Sequence, residues 1–152
     1  MSEYDTLYQE VILEHNKNPR NYKVLPEATH YALGKNPLCG DQFAVYVQLD
    51  AAQDTIEAVG FQGSGCAIAK ASASLMTTSV KGKDKATALQ MKQEFQDMVT
   101  GQLDCTACTH QLGRLTLFEG VKEYPVRVKC ATLAWHTLEA ALRGQQQEVS
   151  TE

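Results

Sequence analysis

Residues 43–61 read Phe43-Ala44-Val45-Tyr46-Val47-Gln48-Leu49, Asp50-Ala51-Ala52-Gln53-Asp54, Thr55-Ile56-Glu57-Ala58-Val59-Gly60-Phe61. In the first segment Phe43, Val45, Val47 and Leu49 alternate with Ala44, Tyr46 and Gln48. A period of two is that of a half-buried strand. Asp50–Asp54 is a polar turn, and Thr55–Phe61 reads as the returning strand of a hairpin. Gly60, Gly63 and Gly65 then loosen the chain. Directly after them the period becomes helical: Ile68, Ala71, Ser72, Leu75, Met76 and Val80 form one face from Cys66 to about Val80.

Outward from this junction the other elements follow. Upstream, Tyr4, Leu7, Tyr8, Val11 and Ile12 predict an amphipathic helix over roughly Asp5–His15, stopped by Asn18-Pro19-Arg20-Asn21. Thr29–Leu33 reads as a short strand. Downstream, Lys81-Gly82-Lys83 breaks the central helix. Ala86, Leu89, Phe95, Met98 and Val99 predict another, ending near Gly101. Leu112, Leu115, Leu117 and Phe118 allow a short helix. Pro125 opens a last helix, whose buried face is Leu133, Ala134, Leu138, Ala141 and Leu142. Strands grouped together and followed by grouped helices mean an α+β fold, with an antiparallel sheet covered on one face. No internal repeat or linker divides the chain. One domain is expected over 1–143, with a disordered tail over 144–152.

The chain has 152 residues, of which 43% are hydrophobic and 21% charged, with a net charge of −4. This is a globular composition. It has no basic field for a nucleic acid. No apolar run approaches the ~20 residues that span a bilayer. The N-terminal Met1-Ser2-Glu3-Tyr4-Asp5 is polar and acidic, unlike a secretion or import signal, so the expectation is a cytoplasmic protein. The cysteines are Cys39, Cys66, Cys105, Cys108 and Cys130. An odd number without an export signal favours metal binding or thiol chemistry over a disulfide framework.

Three of the five stand at element ends. Cys39 lies in Asn36-Pro37-Leu38-Cys39-Gly40-Asp41, just before the strongest strand, and Asp41 can place a carboxylate beside it. Cys66 follows Gly63-Ser64-Gly65 and opens a helix, where unpaired N–H groups stabilise negative charge on sulfur. Cys130 sits in the first turns of the last helix, with Arg127 and Lys129 nearby in sequence. Three soft thiolates and one carboxylate make a four-ligand set suited to zinc or to an iron–sulfur cluster. The carboxylate is the harder and weaker partner, as in a site built to let something go.

Other candidates read less sharply. Cys105-Thr106-Ala107-Cys108 is a CxxC, either half of a metal site or a redox pair, with His110 close by. The competing reading is a polar loop. His136 lies six residues beyond Cys130 and off its helix face. His15 and His30 read as surface residues.

At these residues the chain resembles the NifU N-terminal/IscU-like family of iron–sulfur cluster assembly proteins. The resemblance runs from about Tyr4 to Leu142. It is carried by the Asn36–Asp41 motif, by Gly63-Ser64-Gly65-Cys66-Ala67-Ile68-Ala69-Lys70-Ala71-Ser72-Ala73-Ser74, and by Arg127-Val128-Lys129-Cys130-Ala131-Thr132-Leu133-Ala134-Trp135. It implies a three-stranded antiparallel sheet with helices packed on one face. Lys129 stands where the scaffold branch has a His, and the stretch around Gln102–Glu123 is longer than in scaffolds. Both features resemble the SufU branch. That implies Zn2+ held by Cys39, Asp41, Cys66 and Cys130, with Cys39 accepting sulfur from a PLP-dependent cysteine desulfurase of the SufS type. The sulfur would go on to downstream iron–sulfur assembly proteins. The alternative is a scaffold on which iron or a labile [2Fe–2S] cluster occupies the same four residues.

Overall fold

The alternating segment is the central strand of the sheet. The computed structural model describes residues 3–37, 40–103, 112–144 and 148–150, with residues 3–7 and 148–150 described by their backbone alone. Strand β2 (Asp41–Leu49) pairs antiparallel with β1 (His30–Asn36) on one side and with β3 (Ile56–Ser64) on the other. Asp41, Phe43, Val45, Val47 and Leu49 are all buried on one face of β2. This is the outcome that period-two alternation predicts. A short β4 (Glu148–Ser150) adds parallel to β1 at Leu33–Lys35, within the stretch read as tail.

Two strand ends differ from the sequence reading. β1 continues past Leu33 to Asn36. Its buried positions there are Gly34 and Asn36, so the inward alternation persists in residues that carry no apolar signal. β3 continues through Gly63, which pairs with Phe43, to Ser64. The glycines do not loosen the chain before that point.

The helices are α1 (Glu3–Lys17), α2 (Ala67–Val80), α3 (Lys85–Val99) and α4 (Pro125–Leu142), with a 3-10 segment over Gly113–Glu123. The side chain of Asp84 caps α3 by accepting the Thr87 N–H at 2.9 Å. Pro125 sits in the first turn of α4. On α3 the buried apolar residues are Ala88, Met91, Phe95, Met98 and Val99, while Ala86 is exposed. α2 is buried over seven consecutive residues, Ala71–Thr77, so its polar members need partners. The Ser72 hydroxyl donates to the Ala131 carbonyl of α4 at 2.6 Å. The Ser74 hydroxyl oxygen accepts the Arg20 N–H at 2.8 Å and lies 2.7 Å from His15 Nδ1. His15 is therefore buried, not a surface residue, because the inner face of α1 packs on α2.

The helices and the buried sheet face share one apolar core, with Phe61, Phe95, Phe118 and Trp135 fully buried in it. α4 crosses β1 at Gly34. A Cβ there would collide with the Thr137 hydroxyl and stand 3.1 Å from a Leu133 methyl. The bare glycine lets α4 lie close to the sheet. Among the described residues, no helix is long and apolar enough to cross a membrane.

Candidate metal centre

The end of the β1–β2 hairpin supplies the first group. Asn36 and Asp41 face each other as its last antiparallel pair, and the Gly40 N–H bonds the Asn36 carbonyl at 2.9 Å. Asp41 belongs to the inward face of β2, so its carboxylate points into the protein and is fully buried. One oxygen, Oδ1, accepts the backbone N–H of Cys66 at 2.8 Å. The other, Oδ2, accepts from Asn36 Nδ2 at 3.3 Å and lies 4.0 Å from Cys66 Sγ. This approach needs Gly65: a Cβ there would stand 2.9 Å from Asp41 Oδ1 and 3.0 Å from the Phe43 ring.

Cys66 is the N-cap of α2, and its sulfur accepts the Ala69 N–H at 3.4 Å. An N–H otherwise unpartnered at a helix start thus points at the sulfur, as expected from the sequence. Cys130 is supplied by α4, where it is buried. Its Sγ lies 3.6 Å from Asn36 Nδ2. The candidate ligand atoms of Asp41, Cys66 and Cys130 all lie within 4.8 Å of one another. Residues 66 and 130 are 64 positions apart, and only the packing of α2 and α4 on the sheet joins them.

The donor set fits a thiophilic cation. Tetrahedral zinc, with sulfur at about 2.3 Å and oxygen at about 2.0 Å, places neighbouring donors roughly 3.5–3.8 Å apart. The group needs to contract by about an ångström. Among the described residues, no Lys, Arg or His forms an ion pair with Asp41. Among those residues its carboxylate is buried on neutral donors, and such a group gains from a cation. Two thiols beside it select a soft or borderline metal over calcium or magnesium.

Cys39 lies outside the described residues, as do Cys105, Cys108 and His110. Arg127 is exposed, with its guanidinium 4.5 Å from the centre of the Tyr124 ring, and Lys70 stands 5.1 Å from that of Tyr22. His136 is half-buried and is not part of the group. Burial first, and Lys92 second, hold its imidazole below the usual histidine range. Asn36 escaped the sequence reading as a functional residue. Its only signal was its place at the head of the Asn36–Asp41 motif.

A family model described as the NifU-like N terminal domain matches residues 7–131. The chain is 42% identical over 142 residues to the zinc-dependent sulfurtransferase SufU of Bacillus subtilis (strain 168), covering 93% of each protein. It is 38% identical over 143 residues to the iron–sulfur cluster assembly scaffold protein IscU of Streptococcus pyogenes serotype M1, covering 94% of this chain and 87% of the relative. Among solved structures, FiSufU from Fervidobacterium islandicum AW-1, described as an iron–sulfur cluster assembly scaffold protein for the SUF system, superposes with a TM-score of 0.81. It is 38% identical, with 90% of this chain and 97% of that one covered. The N-terminal part of a NifU-like protein from Brucella abortus has the same fold, with a TM-score of 0.81 at 22% identity over 95% of this chain and 97% of its own. The order of elements, the placement of the cysteine motifs and these matches agree: the chain belongs to the NifU-like N-terminal domain family.

Proposed function

We propose that this protein is a zinc-dependent sulfur-transfer protein. It accepts persulfide sulfur from a PLP-dependent cysteine desulfurase of the SufS type and passes it to downstream iron–sulfur cluster assembly proteins. The observation that carries this reading is the grouping of Asp41, Cys66 and Cys130 within 4.8 Å. The similarity to a relative named as a zinc-dependent sulfurtransferase supports it. The ligands are Cys39, Asp41, Cys66 and Cys130, and Cys39 is the acceptor. Cys39 stands two residues before Asp41 in the sequence.

Zinc, when bound, keeps the cysteine sulfurs as thiolates and reduced. The chain's own residues do the rest. The Cys66 N–H and the Asn36 amide orient the Asp41 carboxylate. In the transfer the Cys39 thiolate attacks the outer sulfur of the desulfurase persulfide. A new S–S bond forms on Cys39, the donor S–S bond breaks, and the desulfurase cysteine leaves as a thiolate. No oxidant is consumed. The reducing cytoplasm, where free thiols persist, is the compartment this chemistry needs.

The test is the rate of alanine production by the cognate desulfurase, with reductant, with and without this protein. A large stimulation that is lost in Cys39→Ala supports the reading. If Cys39→Ala stimulates as the parent does, Cys39 is not the acceptor. A second reading, a scaffold for a labile [2Fe–2S] cluster on the same residues, is favoured by the relatives named as IscU scaffolds. Anaerobic reconstitution separates the two: a stable cluster that passes intact to an apo-protein belongs to the scaffold.

A further inference from the structure

Asn36 has no ligand atom suited to zinc, yet its amide lies against two members of the group and is fully buried. Its Nδ2 lies 3.3 Å from Asp41 Oδ2 and 3.6 Å from Cys130 Sγ. One amide carries two N–H bonds, so one side chain can serve both acceptors. The acceptors come from different elements, β2 and α4. Asn36 itself is the last residue of β1, held across the hairpin by its pairing with Asp41 and by the Gly40 N–H on its carbonyl. Its backbone is fixed, and its side chain spans the gap between the carboxylate and the sulfur.

We propose that Asn36 is the positioning residue of the metal centre, holding Asp41 and Cys130 in register with one amide group. This rests on the metal-binding reading above. A cationic donor at this place would compete with the metal for the same two anions. The neutral amide orders them without adding charge, so the cost of gathering two anionic ligands is met before the metal arrives. Hydrogen bonds from the second shell to ligating groups typically set metal affinity by about 10–100-fold. A bond to the Cys130 sulfur also draws electron density from it, which lowers the energy of its lone pairs.

The experiment uses Asn36→Leu, which keeps the branched four-atom skeleton without any donor, and Asn36→Ser, which keeps one. Each is compared with the parent for zinc affinity by chelator competition, for circular dichroism without metal, and for the sulfur-to-Co2+ charge-transfer band after cobalt substitution. The expected result is a native-like fold and a zinc affinity about 10–100-fold weaker in Asn36→Leu. Its charge-transfer band moves to longer wavelength, because the sulfur lone pairs rise in energy. Asn36→Ser falls between the two. Leu and Ser variants that bind zinc as the parent does, with an unmoved band, overturn the positioning role. So does an affinity loss in both variants with the band unmoved, since that reports packing alone. If the parent binds neither zinc nor cobalt, the metal reading fails together with this inference. A parent that binds while the variants are unchanged refutes only the role of Asn36.

Discussion

At the scale of the residue, Asp41 does two things at once. Its Oδ1 satisfies the N–H of Cys66, and its Oδ2 faces Asn36 and the Cys66 sulfur. The two roles separate by substitution. Asp41→Ala leaves a buried N–H without its acceptor, which costs about 1–3 kcal/mol. Asp41→Asn keeps one of the two acceptors and removes the charge. Urea unfolding of the metal-free proteins is expected to show a larger loss for Asp41→Ala than for Asp41→Asn. Chelator competition is expected to show weakened zinc binding in both. Equal unfolding midpoints would mean that the Oδ1 contact contributes nothing to the fold. Ser74 shows the same logic without any metal. Period and hydrophobicity pass over a serine, but here it meets a backbone N–H and a buried histidine ring from α1 and the turn after it.

At the scale of the element, the deciding contact is α4 against β1. Gly34 permits the approach, and Thr137 and Leu133 occupy the space a side chain would take. Cys130 lies two helical turns before Thr137, about 10 Å along α4. Pushing the helix outward at Gly34 moves the whole rod, and the cysteine with it. Gly34→Ala is therefore expected to cost about 1–3 kcal/mol by overpacking and to weaken zinc binding as well. The double variant Gly34→Ala/Thr137→Ala removes the colliding hydroxyl and is expected to recover most of both losses. Additive single and double losses in urea unfolding would show that the two residues do not couple. α2 contributes from its start. A cysteine rather than a serine or aspartate caps the helix, so the group that ends one element is also part of the site.

At the scale of the whole molecule, a buried and a half-buried imidazole link stability to pH. Burial above all, and then Arg20 and Arg114, hold His15 below its ordinary value of 6.5, with Glu14 opposing. Burial and then Lys92 do the same to His136, with Glu139 opposing. The unfolded chain therefore binds protons near pH 6.5 that the folded chain refuses until lower pH. By linkage the stabilisation is full above that pH and is lost as the pH falls below it towards the folded values. In urea unfolding with chelator present, the midpoint is expected to drop between pH 7.5 and pH 5.5. The drop should be smaller in His15→Gln/His136→Gln. An unchanged slope in that variant would assign the pH dependence to other groups.

The sequence alone determined what is local or periodic. The strand at 43–49 was legible because its alternation is apolar. The helix after Cys66 was legible from its spacing, the motifs at Cys39 and Cys66 from their glycines, and that at Cys130 from its flanking residues. Strand ends at Gly34–Asn36 were not legible, because their inward positions are held by a glycine and an asparagine, which carry no hydrophobic signal. The burial of His15 was hidden because its partner, Ser74, is 59 residues away. Only the tertiary structure set Asp41, Cys66 and Cys130 side by side and put Asn36 between two of them. Distances between elements depend on how closely helices pack on a sheet. That is decided by space left empty, as at Gly34 and Gly65, and no pattern along a single chain records it.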